Sequence, residues 1–168
     1  MHALWIVVGL VALQRLAEQR YAAHNTSRLL AAGAVEESPG HYPLIVALHT
    51  AWLVSLLLLV PPDTPVNWPL MSVFLALQAA RVWVLATLGR YWTTRIITLP
   101  GAPLVRRGPY RFVRHPNYLI VAAEIAILPL VFGAWQIALV FSALNLLLLS
   151  HRIRRENMAL ETRRSNPA

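Results

Sequence analysis

Residues 107–130 read RGPYRFVRHPNYLIVAAEIAILPL. Three arginines, a histidine and two prolines fill the first ten positions, and the apolar run that follows holds one carboxylate, Glu124. Proline costs no hydrogen bond at a first helical position, where its missing N–H would be an orphan anyway, so Pro116 reads as a helix start. The stretch is a charged, turn-rich knot at the mouth of an apolar helix that buries an acid.

The rest of the chain agrees with a membrane setting. It has 168 residues, 57% of them hydrophobic and only 13% charged, and a mean hydropathy of +0.53. That is too apolar for a soluble domain of this length. Apolar windows fall at residues 2–21, 43–61, 67–89, 117–133 and 134–150, each near the roughly 20 residues that cross a bilayer. The expected fold is an all-α integral membrane protein of about five transmembrane helices. Its last two helices form a hairpin at Phe132-Gly133-Ala134, and residues 90–116 form an ordered cap. The length suits one domain over 1–168, with N-terminal helices to residue 89 and the cap and hairpin over 90–168. The N-terminal segment lacks a basic n-region and a small-residue cleavage site, and reads as a retained helix.

Charge orients the expected bundle. The net charge is +8 and every cationic side chain that counts toward it is arginine; a basic face toward anionic headgroups accounts for this more simply than nucleic acid does. Arginines crowd the 90–116 loop and the tail, while PPDTPV and the hairpin tip have none. The positive-inside rule then puts the cap and C-terminus in the cytosol and the N-terminus outside. With no cysteine, thiolate metal sites and disulfides are excluded, and the six histidines show no ligand spacing, so no metal is expected.

Polar groups inside the apolar windows are costly and gather at one depth. His49, Arg81, Glu124 and Asn145 fall within about 7–12 Å of the expected cytosolic boundary at 1.5 Å per residue, joined by Gln14, Arg15 and Glu18. Arg81 and Glu124 admit two readings: an ion pair that fixes two helices in register, or a site, with Arg81 facing a substrate and Glu124 acting as general base. His49 alone reads as a hydrogen-bonded interior residue, and Asn145 as interhelical glue. In the tail, Arg152 and Glu156 stand four apart on one helical face.

GPYRFVRHPNY, an apolar helix with one Glu, a hairpin and then RIRRENMAL together resemble the isoprenylcysteine carboxyl methyltransferase family, whose pattern is G-x-Y, R-H-P-x-Y and R-x-x-x-E. The resemblance covers about residues 78–160. GAVEESPGHYPLIVALHTAWL resembles a bacterial branch associated with methylation of long-chain alkylpyrone and phenolic lipids. The resemblance implies an S-adenosylmethionine-dependent membrane enzyme. Leu104, Val105, Tyr110, His115, Pro116, Asn117, Tyr118 and Glu156 would bind the cofactor, and Arg152 would face the acceptor. Where the pattern often has two adjacent acids, this chain has Glu156-Asn157.

The implied chemistry suits the residues. Methyl transfer to oxygen needs alignment and a dry site rather than a metal or a covalent nucleophile, and a guanidinium can orient an anionic acceptor. The expected partners are a lipophilic acceptor and membrane lipids, with no nucleic acid. Two other classes compete: a phospholipid amine N-methyltransferase, and a non-enzymatic transporter or lipid-binding subunit.

Overall fold

The computed structural model describes residues 3–37, 40, 42–102 and 105–165, with side chains through Glu156 and at Met158. Each apolar window becomes a helix: α1 (Ala3–Ala31), α2 (Tyr42–Leu59), α3 (Trp68–Leu88), α4 (Pro116–Val131) and α5 (Trp135–Ser165). The segments Tyr42–Leu59, Trp68–Tyr91 and Trp135–Glu156 are long and apolar enough to cross a membrane. Helix α4 is apolar but has 16 residues, and α1 carries Arg15, Glu18 and Arg20 along its middle.

Local chemistry sets the boundaries. Asn67 caps α3, its side chain accepting from the Leu70 N–H at 3.1 Å, while its own N–H donates to the Val131 carbonyl at 2.9 Å and ties the start of α3 to the end of α4. The hairpin forms where expected. Gly133 takes φ +68, its N–H donates to the Leu130 carbonyl and that of Ala134 to the Pro129 carbonyl, the paired bonds of a Schellman stop that favours glycine.

Helix α4 is the hub, packed against both α3 and α5 and buried at nine positions, whereas α2 buries only Trp52 and Leu56. One half of the bundle is an apolar core that includes Leu4, Val8, Trp52, Leu56, Phe74, Ile125, Leu128 and Val131. Leu58, Leu59, Leu146 and Leu147 project outward and are exposed, as on a surface that faces acyl chains.

Two features go beyond the expected loops. Helix α1 continues ten residues past 21, because RYAAHNTSRLLA contains no proline or glycine to stop it. After it, β1 (Val35–Glu37) pairs antiparallel with β2 (Ile96–Thr98) of the cap, Val35 opposite Thr98. Arg95 binds Glu36 at 3.0 Å and lies over the Tyr42 ring. Asn25, buried in α1, donates to the carbonyls of Gly89 and Trp92 at 3.1 and 2.9 Å, so the N-terminal helix holds the start of the cap.

Candidate active site

The cap, the start of α4 and the C-terminal half of α5 enclose a cavity of about 760 Å³. Tyr110 reaches it from the turn Gly108–Arg111, His115, Asn117 and Tyr118 from the start of α4, and Arg152 and Glu156 from α5. Arg95, Arg106, Arg111 and Arg114 add positive charge to the wall, and Glu156 is its acid. The geometry follows from the prolines. Pro109 and Pro116 each open a helical turn, which projects the residues just after them toward the tail.

The Tyr118 hydroxyl is the junction. It accepts from Arg152 Nε at 2.7 Å and donates to Glu156 Oε2. Arg152 also lies 5.4 Å from the centre of the Tyr118 ring, and its Nη2 donates to the Thr94 carbonyl at 2.7 Å. On the other side the His115 ring stacks on Tyr118 at 5.3 Å and 14°, with Nδ1 at 3.8 Å from Glu156 Oε1. Burial, with Glu156 nearby, pushes the Tyr110 phenol well above its ordinary value, so Tyr110 keeps its proton and can donate.

A second, smaller slot of about 100 Å³ adjoins the cavity and shares Trp92, Thr93, Asn117, Tyr118 and Arg152 with it. Its remaining wall is mostly membrane helix, with Val46, Leu48, His49, Val121, Asn145 and Leu148 among the residues. Arg81 also borders it. The shared residues stand between a polar cavity and a mainly apolar slot.

Glu124 lies on neither wall. It is 1% exposed and bound on both oxygens, by Gln78 at 2.8 Å on one and by Arg15 and Arg81 at 2.7 and 3.0 Å on the other. Arg81 in turn grips Glu18 with two bonds of 2.6 Å, and Arg15 adds a third at 3.0 Å. Two cations and two carboxylates from α1, α3 and α4 thus make a closed, neutral cluster, the arrangement under which buried charge is tolerated. The expected Arg81–Glu124 pair is present within it.

Of the residues expected at the cofactor, Val105, Tyr110, His115, Asn117, Tyr118 and Glu156 line the large cavity, together with Arg152. Pro116 is buried at the first turn of α4 and does not line it. Leu104 lies outside the described residues. Trp92 and the β2 strand were not singled out from sequence, though both border the cavity. The aromatic YW pair after a helix-ending glycine was the available signal.

The model of the isoprenylcysteine carboxyl methyltransferase family matches residues 70–162, which hold α4, the whole cap and the Tyr118–Arg152–Glu156 junction. The chain belongs to this family. The uncharacterized protein YpbQ of Bacillus subtilis is 38% identical over 161 residues, covering 94% of this chain and 96% of that one. An uncharacterized protein of Haemophilus influenzae is 32% identical over 91 residues, 54% of this chain and 53% of its own length. No solved structure matches the chain. The B. subtilis likeness extends over α1 and α2 as well, so the part of this chain that lies before the family match is shared with a bacterial relative.

The residues present fit S-adenosylmethionine. The cavity has the size of small-molecule sites, and Tyr110 and Tyr118 offer ring faces for a purine. Glu156 can accept from ribose hydroxyls or pair with an ammonium, and the arginines suit a carboxylate. Among the described residues, buried Asn117 Oδ1 and Trp92 Nε1 have no protein partner, and both residues border the cavity, where a polar ligand can satisfy them.

Proposed function

We propose that the protein is an S-adenosylmethionine-dependent O-methyltransferase acting at the inner leaflet on a lipophilic acceptor, a carboxylate or an acidic enol or phenol on an isoprenoid or alkyl chain. The observation that carries this reading is the wall shared by the polar cavity and the apolar slot, built from Trp92, Thr93, Asn117, Tyr118 and Arg152. A water-soluble donor and a membrane-dissolved acceptor need such a meeting place.

In this reading Val105, Tyr110, His115, Asn117, Tyr118 and Glu156 hold the cofactor, which supplies an electrophilic methyl on a sulfonium. Arg152 faces the acceptor oxygen with a charge that attracts the developing or resident anion. Packed side chains around the slot exclude water from the reacting pair. Glu124 and Arg81 act through the bundle, holding α1, α3 and α4 in register behind the slot.

The test is transfer of labelled methyl from S-adenosylmethionine by the detergent-purified protein to a long-chain alkylresorcinol or an S-farnesylated N-acetylcysteine, with the product identified by mass spectrometry and alkali lability. An ester or ether product supports the reading. Calorimetry that detects no cofactor binding, or labelling confined to lipid amines, overturns it.

A further inference from the structure

The slot contains a base that the cofactor residues do not explain. His49 sits on α2, and its Nδ1 is 2.8 Å from the Ile45 carbonyl one turn earlier. A carbonyl can only accept, so in the neutral ring the proton is on Nδ1 and the lone pair is on Nε2. Among the described residues lining the slot, His49 alone carries an uncharged basic nitrogen. Asn145, 2% exposed on α5, lines the same slot and has a buried Nδ2 with no protein partner. The charges that act on the ring, Arg15, Arg81 and Glu18, belong to the neutral cluster and are already committed to one another.

One acceptor and one donor lining the same small slot are the complement of a single hydroxyl group. A slot of about 100 Å³ holds the volume of roughly three water molecules, so a hydroxyl bound there shares a small space with both. The acceptor class follows from this pairing. A carboxylate is ionised at neutral pH and has no proton to give, whereas a phenol keeps its proton up to about pH 10. Arg152, which also borders the slot, stands on the side shared with the cofactor cavity, where it can stabilise the oxygen as charge builds.

Resting on the methyltransferase reading above, we propose that His49 is a catalytic base, accepting the proton of a lipid hydroxyl on Nε2 while Asn145 Nδ2 donates to the same oxygen. The step balances. The O–H bond breaks toward Nε2, the oxygen forms a bond to the methyl carbon, and the carbon–sulfur bond breaks to leave a neutral thioether. The positive charge of the sulfonium passes to the imidazolium, which loses its proton to solvent after product leaves.

The test uses the full chain in detergent with a long-chain alkylresorcinol, its methyl ether and an S-farnesylated N-acetylcysteine. Without cofactor, wild type binds the phenol about tenfold more tightly than the ether, and His49→Asn, which keeps a donor near the Ile45 carbonyl but has no Nε2, loses that preference. Turnover of the phenol falls at least 100-fold in His49→Asn with S-adenosylmethionine affinity unchanged, and added imidazole restores part of it. Undiminished turnover and an intact phenol preference in His49→Asn overturn the assignment of the base while leaving the methyltransferase reading in place. So does a wild type that methylates only the carboxylate probe. A wild type that binds no S-adenosylmethionine overturns the methyltransferase reading itself.

Discussion

Arg152 Nε donates to the Tyr118 hydroxyl at 2.7 Å, and the same hydroxyl donates onward to Glu156. A residue at the start of α4 therefore sets the positions of the two charged groups on α5 that, in the proposed reading, face the donor and the acceptor. A tyrosine is needed because the hydroxyl must accept on one side and donate on the other, which an amide or an amine at that reach does not do as well. The pairing Arg152–Glu156 read along the helix becomes, in three dimensions, two bonds to one oxygen.

Tyr118→Phe removes both bonds and keeps the ring stacked on His115. A net hydrogen bond is worth about 1 kcal/mol and one to a charged group about 1.5–3 kcal/mol, so S-adenosylmethionine affinity should fall about tenfold and turnover further. Calorimetry and single-turnover methyl transfer read the two effects separately. Equal affinity and equal turnover would remove Tyr118 from the junction.

Much of this arrangement is legible before folding because its signals are local. Gly133 announces the hairpin, Pro116 the start of α4, and the 3.6-residue period puts Arg152 and Glu156 on one face. The depth of Arg81 and Glu124 along their helices is also countable, which exposes their pairing. Other parts depend on rotation and on distant partners. Nothing in ALQRLAEQRY tells which way Glu18 turns, so its two bonds to Arg81 emerge only from the packing of α1 on α3. Asn25 gives no local sign of its partners, because the Gly89 and Trp92 carbonyls lie more than sixty residues away along the chain. The strand Val35–Glu37 has three residues and two of them are acidic, so its signal is the partner Ile96–Thr98, not its own composition.

Glu156→Gln and His115→Ala separate charge from shape in the cofactor cavity. Glu156→Gln keeps a group that can accept from Tyr118 but loses the carboxylate that would hold ribose hydroxyls or an ammonium. A loss of at least tenfold in S-adenosylmethionine affinity is expected for each variant, about 1.4 kcal/mol, with the helical circular dichroism of wild type. Arg152→Ala should show the reverse balance, with turnover falling more than cofactor affinity. Binding isotherms paired with initial rates distinguish the two patterns.

Arg81→Met takes from Glu18 and Glu124 one of the two cations that bind both, leaving Arg15 alone with two carboxylates. Removing one partner from a buried charge cluster costs about 3–5 kcal/mol, whereas replacing a whole cluster by apolar groups is often neutral. Thermal unfolding in detergent should therefore show a large drop in Tm for Arg81→Met. Arg81→Met combined with Arg15→Met, Glu18→Met and Glu124→Gln, which replaces all four charges, should recover much of it. A single variant as stable as wild type would show that the cluster contributes little to the bundle.

Gly108 is the point where the cap meets the end of α3. It takes φ +56, and a Cβ there would sit 2.5 Å from Thr87 Oγ1 and 3.0 Å from Thr87 Cγ2. Thr87 cannot easily yield, since its hydroxyl donates to the Trp83 carbonyl at 2.8 Å and its own carbonyl accepts from Arg107 at 3.4 Å. Gly108→Ala thus adds a left-handed backbone cost of about 1–2 kcal/mol to a steric overlap of similar size. Tyr110, Arg111 and Arg114 follow directly and line the cavity, so the displacement should reach the cofactor. We expect faster amide exchange across residues 105–114, at least tenfold weaker S-adenosylmethionine binding, and little change in α4, which is anchored independently by Ile125 and Leu128 in the apolar core. Pairing Gly108→Ala with Thr87→Ala should relieve the overlap but not the backbone cost, and so recover part of the affinity. Full recovery would assign the whole effect to Thr87, and none would assign it to the turn.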